Sequence, residues 1–94
     1  MVAYAIMNGD VHDADGYGEY VKLAGPAVAK FGGKFLARGG EVVVKEGQPM
    51  SRTVIIEWPD LATAEEFYVS DDYKAALDHG LPASTRNYWV VEGL

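Results

Sequence analysis

The sequence predicts an α+β domain in the order β-α-β-β-α-β, with an antiparallel sheet that carries its helices on one face. Three observations lead there. Short apolar runs at 2–7, 52–58 and 87–92 have the length of strands. Apolar residues recur every three or four positions between Tyr17 and Phe31, and again between Leu61 and Leu77, which is helical spacing. Glycine pairs and prolines separate these runs.

Val2–Met7 is a continuous apolar run that stops at Asn8-Gly9-Asp10, as a strand buried on both sides would. Asp10-Val-His-Asp-Ala-Asp15 supplies helix-starting acids, and Tyr17, Tyr20, Val21, Ala24, Val28 and Phe31 form the apolar stripe of the helix that follows. Gly25-Pro26 is expected to kink it, and Gly32-Gly33 to end it. Lys34–Arg38 reads as a strand broken by Gly39-Gly40. Glu41-Val-Val-Val-Lys45 then reads either as a further short strand or as an extension of that one, and Glu46–Met50 as a loop. Arg52–Trp58 is a strand stopped by Pro59, and Asp60 caps a helix through Leu61, Ala64, Phe67 and Tyr68. Ser70-Asp71-Asp72 restarts a helix, with Gly80 and Pro82 as its expected end. Asn87–Glu92 is the last strand.

This order is the ferredoxin-like split unit, with the first and third strands central and the second and fourth at the edges. One helix layer can cover only one side of such a sheet. Its other side should then alternate with polar residues, yet Val2–Met7, Val54-Ile-Ile56 and Tyr88-Trp-Val-Val91 are apolar in both directions. The uncovered face is therefore expected to meet the same face of a second copy, giving a homodimer.

Ninety-four residues make one domain, 1–94, whose own core is modest, although 49% of the chain is apolar or aromatic. A net charge of −6 without a basic stripe argues against nucleic acid and against an anionic membrane surface. With no cysteine, thiolate chemistry and cysteine-held metals are excluded. The amino-terminal run is shorter than a signal peptide, and no stretch approaches a membrane span, so the cytoplasm is the expected compartment. Asp10-x-His-Asp-x-Asp15 is dense in metal-ligand types, but Lys22 stands where a calcium loop needs glutamate, so no metal is expected. The glycine pairs match no nucleotide-binding fingerprint, and no cofactor is expected.

Tyr17-x-x-Tyr20, Phe31-Gly-Gly-Lys-Phe-Leu-Ala-Arg-Gly-Gly40, Val54-Ile-Ile-Glu-Trp-Pro59, Phe67-Tyr-x-Ser-Asp-Asp-Tyr73 and Val90-Val-Glu-Gly93 follow one another along nearly the whole chain. Together they resemble the bacterial domain-of-unknown-function 1330 family, within the dimeric α+β barrel group. The resemblance implies a ferredoxin-like protomer whose sheet packs on its twin. The wider group spans cofactor-independent monooxygenases, isomerases, haem enzymes and ligand-binding modules, so the resemblance implies no single activity.

Topology nominates a site. The end of strand one, the end of strand two and the starts of strands three and four share one end of the sheet. Asn8 and all three arginines (Arg38, Arg52, Arg86) gather there, as do His12 and His79, the only histidines. In an acidic chain this gathering suggests a seat for a small acidic or carbonyl-bearing molecule. Arg38 and Arg86, with Arg52 and Asn8 alongside, would hold its oxygens. His79 would act as acid or base, and Tyr68 and Tyr73 would form the wall. If the second strand instead runs on to Lys45, Arg38 moves to the opposite end, near Trp58. Glu57, an acid in an apolar strand, is either a proton carrier or a partner of Lys34. The competing function is a dimeric interaction module with no ligand.

Overall fold

The computed structural model describes residues 1–94. Strand β1 (Ala3–Val11) leads to helix α1 (Ala14–Lys30), then β2 (Lys34–Arg38), β3 (Arg52–Trp58), α2 (Leu61–Tyr68), α3 (Asp71–Ala83) and β4 (Ser84–Glu92). The sheet order is β2-β3-β1-β4, with every neighbour antiparallel. This is the ferredoxin-like arrangement, with the second helical unit split at Val69–Ser70.

Local chemistry explains each helix start. Asp13, Asp60 and Ser70 accept hydrogen bonds from the N–H groups of Gly16, Thr63 and Tyr73, satisfying donors that a helix leaves free. Helix α1 ends in a Schellman turn: Gly32, at φ +84°, and Gly33 donate to the carbonyls of Ala29 and Val28. The helix continues unbroken through Pro26.

Four element boundaries differ from the sequence reading, one being β4, which begins at Ser84 rather than Asn87. Asn8-Gly9-Asp10 does not stop β1, because each residue pairs with both β3 and β4 or with β4 alone. Helix α3 runs through Gly80 and Pro82 to Ala83. Its last carbonyls are satisfied from outside: the Ser84 hydroxyl donates to Gly80, and the N–H groups of His12 and Asp13 donate to Ala83. Residues 41–45 form neither a separate strand nor an extension of β2.

Alternation along the strands sorts the two faces. Ala3, Ala5, Met7, Val54, Ile56 and Trp58 are buried beneath the helices, joined by Tyr17, Tyr20, Val28, Phe67, Tyr73 and Leu77. The other face presents Tyr4, Ile6, Ile55, Trp89 and Val91, with Trp89 and Val91 about half exposed. The Cα envelope measures 33 × 32 × 16 Å, thick enough for one sheet and one helix layer. No helix is long and apolar enough to cross a membrane.

Candidate functional site

The site lies between α1 and the sheet, at the end where β1 finishes and β3 begins. Arg52 and Arg86 flank Gly9 in the sheet register, and all three lie on the helix-facing side. Gly9 has no room for a side chain, since a Cβ would sit 2.6 Å from Arg86 Cβ.

Arg38 reaches this side because of a β-bulge. Strand β2 shifts register between Phe35 and Ala37, so Phe35 opposes Ile56 while Arg38 opposes Val54. Both partners face the helices, so Phe35 and Arg38 do too, and the guanidinium lies 4.5 Å from the Phe35 ring centre. Without the extra residue, strict alternation would turn Arg38 to the opposite face. The Gly39 N–H donates to the Thr53 carbonyl at φ +72°, and the guanidinium of Arg52 lies where a Cβ on Gly39 would be.

Tyrosines roof the cleft. Tyr20 and Tyr73 share a hydrogen bond of 2.7 Å, and Arg86 Nη2 donates to the Tyr73 hydroxyl at 2.6 Å. Arg86 also lies 4.9 Å from the Tyr20 ring centre, and Arg52 lies 5.5 Å from that of Tyr17. Either hydroxyl can donate in the shared bond, and the one that accepts keeps its own proton for another acceptor. Burial, and then the neighbouring Tyr20, push the Tyr73 hydroxyl far above the ordinary tyrosine range, more than Arg86 pulls it down. Burial likewise raises Tyr88. For Arg86 itself burial opposes the charge, but the facing oxygens of Tyr20 and Tyr73 more than offset it, so the guanidinium stays charged.

None of the three arginines has a carboxylate partner. The two ion pairs in the molecule are Lys22–Glu19 and Lys30–Asp72, both on the surface. Four buried side-chain polar atoms lack a hydrogen-bond partner; Arg52 Nε and Tyr88 Oη belong to residues lining this cleft, and Arg86 Nη1 lies behind its Tyr73 wall. Such groups are costly when left unpaired, so each calls for a water or another polar partner at this place. The cavity volume is about 40 Å³, and its walls include Met7, Tyr17, Tyr20, Arg38, Arg52 and Tyr73. That is room for a few waters; a larger molecule requires α1 or the 39–51 loop to yield.

The structure thus brings Arg38, Arg52, Arg86 and Tyr73 together, with Tyr68 one ring behind, 5.5 Å from Tyr73 and 5.0 Å from Tyr88. It does not bring His79 or His12 there. Both are exposed, because α3 turns Gly80 inward against Tyr20 and thereby points His79 out. Asn8 is also apart: its amide donates to Met50 O, Arg52 O and Thr53 Oγ1 and accepts from Met50 N, which clamps the loop. Glu57 is opposite Lys34 across the strands but forms no ion pair with it. Sequence reasoning left Tyr17, Tyr20 and Tyr88 among the packing residues. The signal was their helix and strand phase, which aligns them with Arg52 and Arg86.

Solved structures agree on the fold. A protein of unknown function from Rhodopseudomonas palustris superposes with a TM-score of 0.75 at 17% identity, covering 99% of this chain and 82% of that one. A dimeric ferredoxin-like protein of unknown function from Bacteroides fragilis gives 0.66 at 11% identity, covering 98% and 96%. SnoaB, a cofactor-independent oxygenase from Streptomyces nogalater, gives 0.64 at 14% identity, covering 99% and 93%. No curated protein matches the chain in sequence. Residues 2–94 match the domain of unknown function (DUF1330), and the chain belongs to that family.

Proposed function

We propose that this protein binds a small acidic or carbonyl-bearing organic molecule in the cleft between α1 and the sheet, and that it does so as a homodimer. The observation that carries the first half is the cationic cluster of Arg52 and Arg86 among tyrosines, with the exposed Arg38 at its mouth and no carboxylate partner for any of them, in a chain with six more acids than bases. A planar oxyanion would take the free N–H groups of Arg52 and Arg86, and the Tyr20 hydroxyl would donate to it. His79 has no part in this reading, and the tyrosines replace it as the proton-bearing groups of the site. The apolar open face of the sheet supports the second half, and the Bacteroides fragilis neighbour is itself described as dimeric. SnoaB adds an example of oxygenase chemistry on this fold, which by itself assigns none here.

Thermal-shift screening against small carboxylates and 2-oxo acids tests the reading, with Arg38→Gln and Arg86→Ala alongside. An acid that raises the melting temperature of the parent but of neither variant is the expected result. Equal stabilisation of all three proteins would remove the arginines from the binding site.

A further inference from the structure

Glu41-Val42-Val43-Val44-Lys45 has the composition of a strand but no sheet to join. Residues 40–51 form no backbone-to-backbone hydrogen bond. The three valines are 42%, 67% and 52% exposed, and neither Glu41 nor Lys45 has an ion-pair partner within the subunit. A run of β-branched residues with free backbone groups is a template for strand pairing.

We propose that this segment pairs with the same segment of a second copy, antiparallel, about a twofold axis through Val43. The inference rests on the homodimer reading and names one contact that forms it. Charge selects the arrangement. Antiparallel pairing sets Glu41 against the other copy's lysine and Lys45 against its glutamate, with valines between them. Parallel pairing would oppose like charges at both ends. A twofold contact also needs a self-complementary patch, which this five-residue pattern is.

The rest of the loop holds the segment ready. The Gly39 N–H is bound to the Thr53 carbonyl, and Ser51 donates twice to Asp10 Oδ1, through its N–H and its hydroxyl. The Asn8 amide grips Met50 from both sides. Tethering at both ends lowers the entropy lost when the segment orders. Asn8 and Asp10 alternate along β1 with the helix-facing Met7 and Gly9, so the returning leg is seated on the uncovered side of the sheet. That is the side read as meeting the second copy.

The cysteine-free chain allows a clean test. Sedimentation of the parent comes first; a dimer is expected. Val43→Cys then introduces the sole thiol at a position opposed to itself, where Cα atoms about 4.5–5.5 Å apart suit a disulfide. Under mild oxidation it should yield covalent dimer at least about tenfold faster than Val69→Cys, an exposed site on the helix layer. Glu41→Lys and Lys45→Glu should each weaken the dimer by about tenfold, and the double reversal should restore it. A dimeric parent in which Val43→Cys is no faster than Val69→Cys, and charge reversal changes nothing, overturns the segment's role and leaves the homodimer standing. Cross-linking without rescue by the double reversal overturns the antiparallel register. A monomeric parent overturns both the dimer and the pairing.

Discussion

At one end of the helix–sheet interface, Trp58 and Phe67 are completely buried, 4.7 Å apart between ring centres, with Phe31 edge-on to Phe67 at 5.9 Å. At the other end, the same sheet and the same α1 hold Arg52 and Arg86 among Tyr17, Tyr20 and Tyr73, with Arg38 exposed at the rim. Tyr73 links the two: its ring is 4.4 Å from Phe67 and its hydroxyl holds Arg86. The first end removes apolar surface from water, the dominant favourable term in folding. The second encloses cations without counter-charges, which folding alone does not favour. One end is built for stability, and the other holds charge that folding alone does not favour, which is what the proposed binding site would require.

The largest effect should come from the apolar end. Phe67→Ala should cost about 3–5 kcal/mol of unfolding free energy in urea titration. Binding of any ligand found by the acid screen should survive at temperatures where the variant is folded. A variant that keeps its stability would break the contrast.

A glycine tests each end in turn. A Cβ on Gly80 would lie 2.5 Å from the Tyr20 ring, and one on Gly33 would lie 2.8 Å from both Trp58 and Val28. Overpacking of this kind costs about 1–3 kcal/mol, less what alanine gains in the helix at position 80. Gly80→Ala should also abolish the ligand's thermal shift by displacing Tyr20, whereas Gly33→Ala should not. If both variants bind equally well, Tyr20 is not part of the site.

Tyr73→Phe removes the oxygen that Arg86 binds and should cost about 1–3 kcal/mol. The same residue sets an alkaline limit. Burial raises Tyr73 and Tyr88 above the unfolded value, so the folded state holds protons that the unfolded state loses. Stability is therefore fully present below about pH 10 and falls as pH rises above it. The parent's urea midpoint should fall as pH rises above about 10, and less steeply in Tyr73→Phe.

Arg86→Leu gives the sharpest contrast with the smallest change in stability. Replacing a buried cation with an apolar side chain is often neutral or favourable, so the unfolding free energy should move by less than about 1 kcal/mol while the ligand response disappears. A loss of several kcal/mol would make Arg86 a structural residue. Asp10 is a smaller matter still. Hydrogen bonds from the Ser51 backbone and then its side chain hold its carboxyl below the usual range. Its contribution is present above about pH 4 and is lost as pH falls through the depressed value, which should loosen the 39–51 loop to proteolysis in acid.

Much of this was written locally. Asp60 and Ser70 are legible caps because capping involves neighbours three residues away. The alternation that buries Ala5, Met7, Val54 and Ile56 is legible because a strand's side-chain period is two. Once strands and helices are ordered, handedness brings Arg52 and Arg86 to one end. His79 was not legible in the same way. Its neighbour Gly80 looks like a helix stop in sequence, and only the Tyr20 ring against it shows that α3 continues and faces His79 outward.

The amino-acid sequence by itself determined the element order, the caps and the two-sided apolar sheet, because these follow from patterns a few residues long. Only the tertiary structure decided that a bulge after Phe35 turns Arg38 to the helix-facing side, that Asn8 grips a loop rather than a ligand, and that Val42–Val44 find no strand to pair with in their own subunit. Register shifts, helix rotation and strand partners are settled by contacts between segments distant in the chain. Local preference cannot supply the energy differences that choose among them.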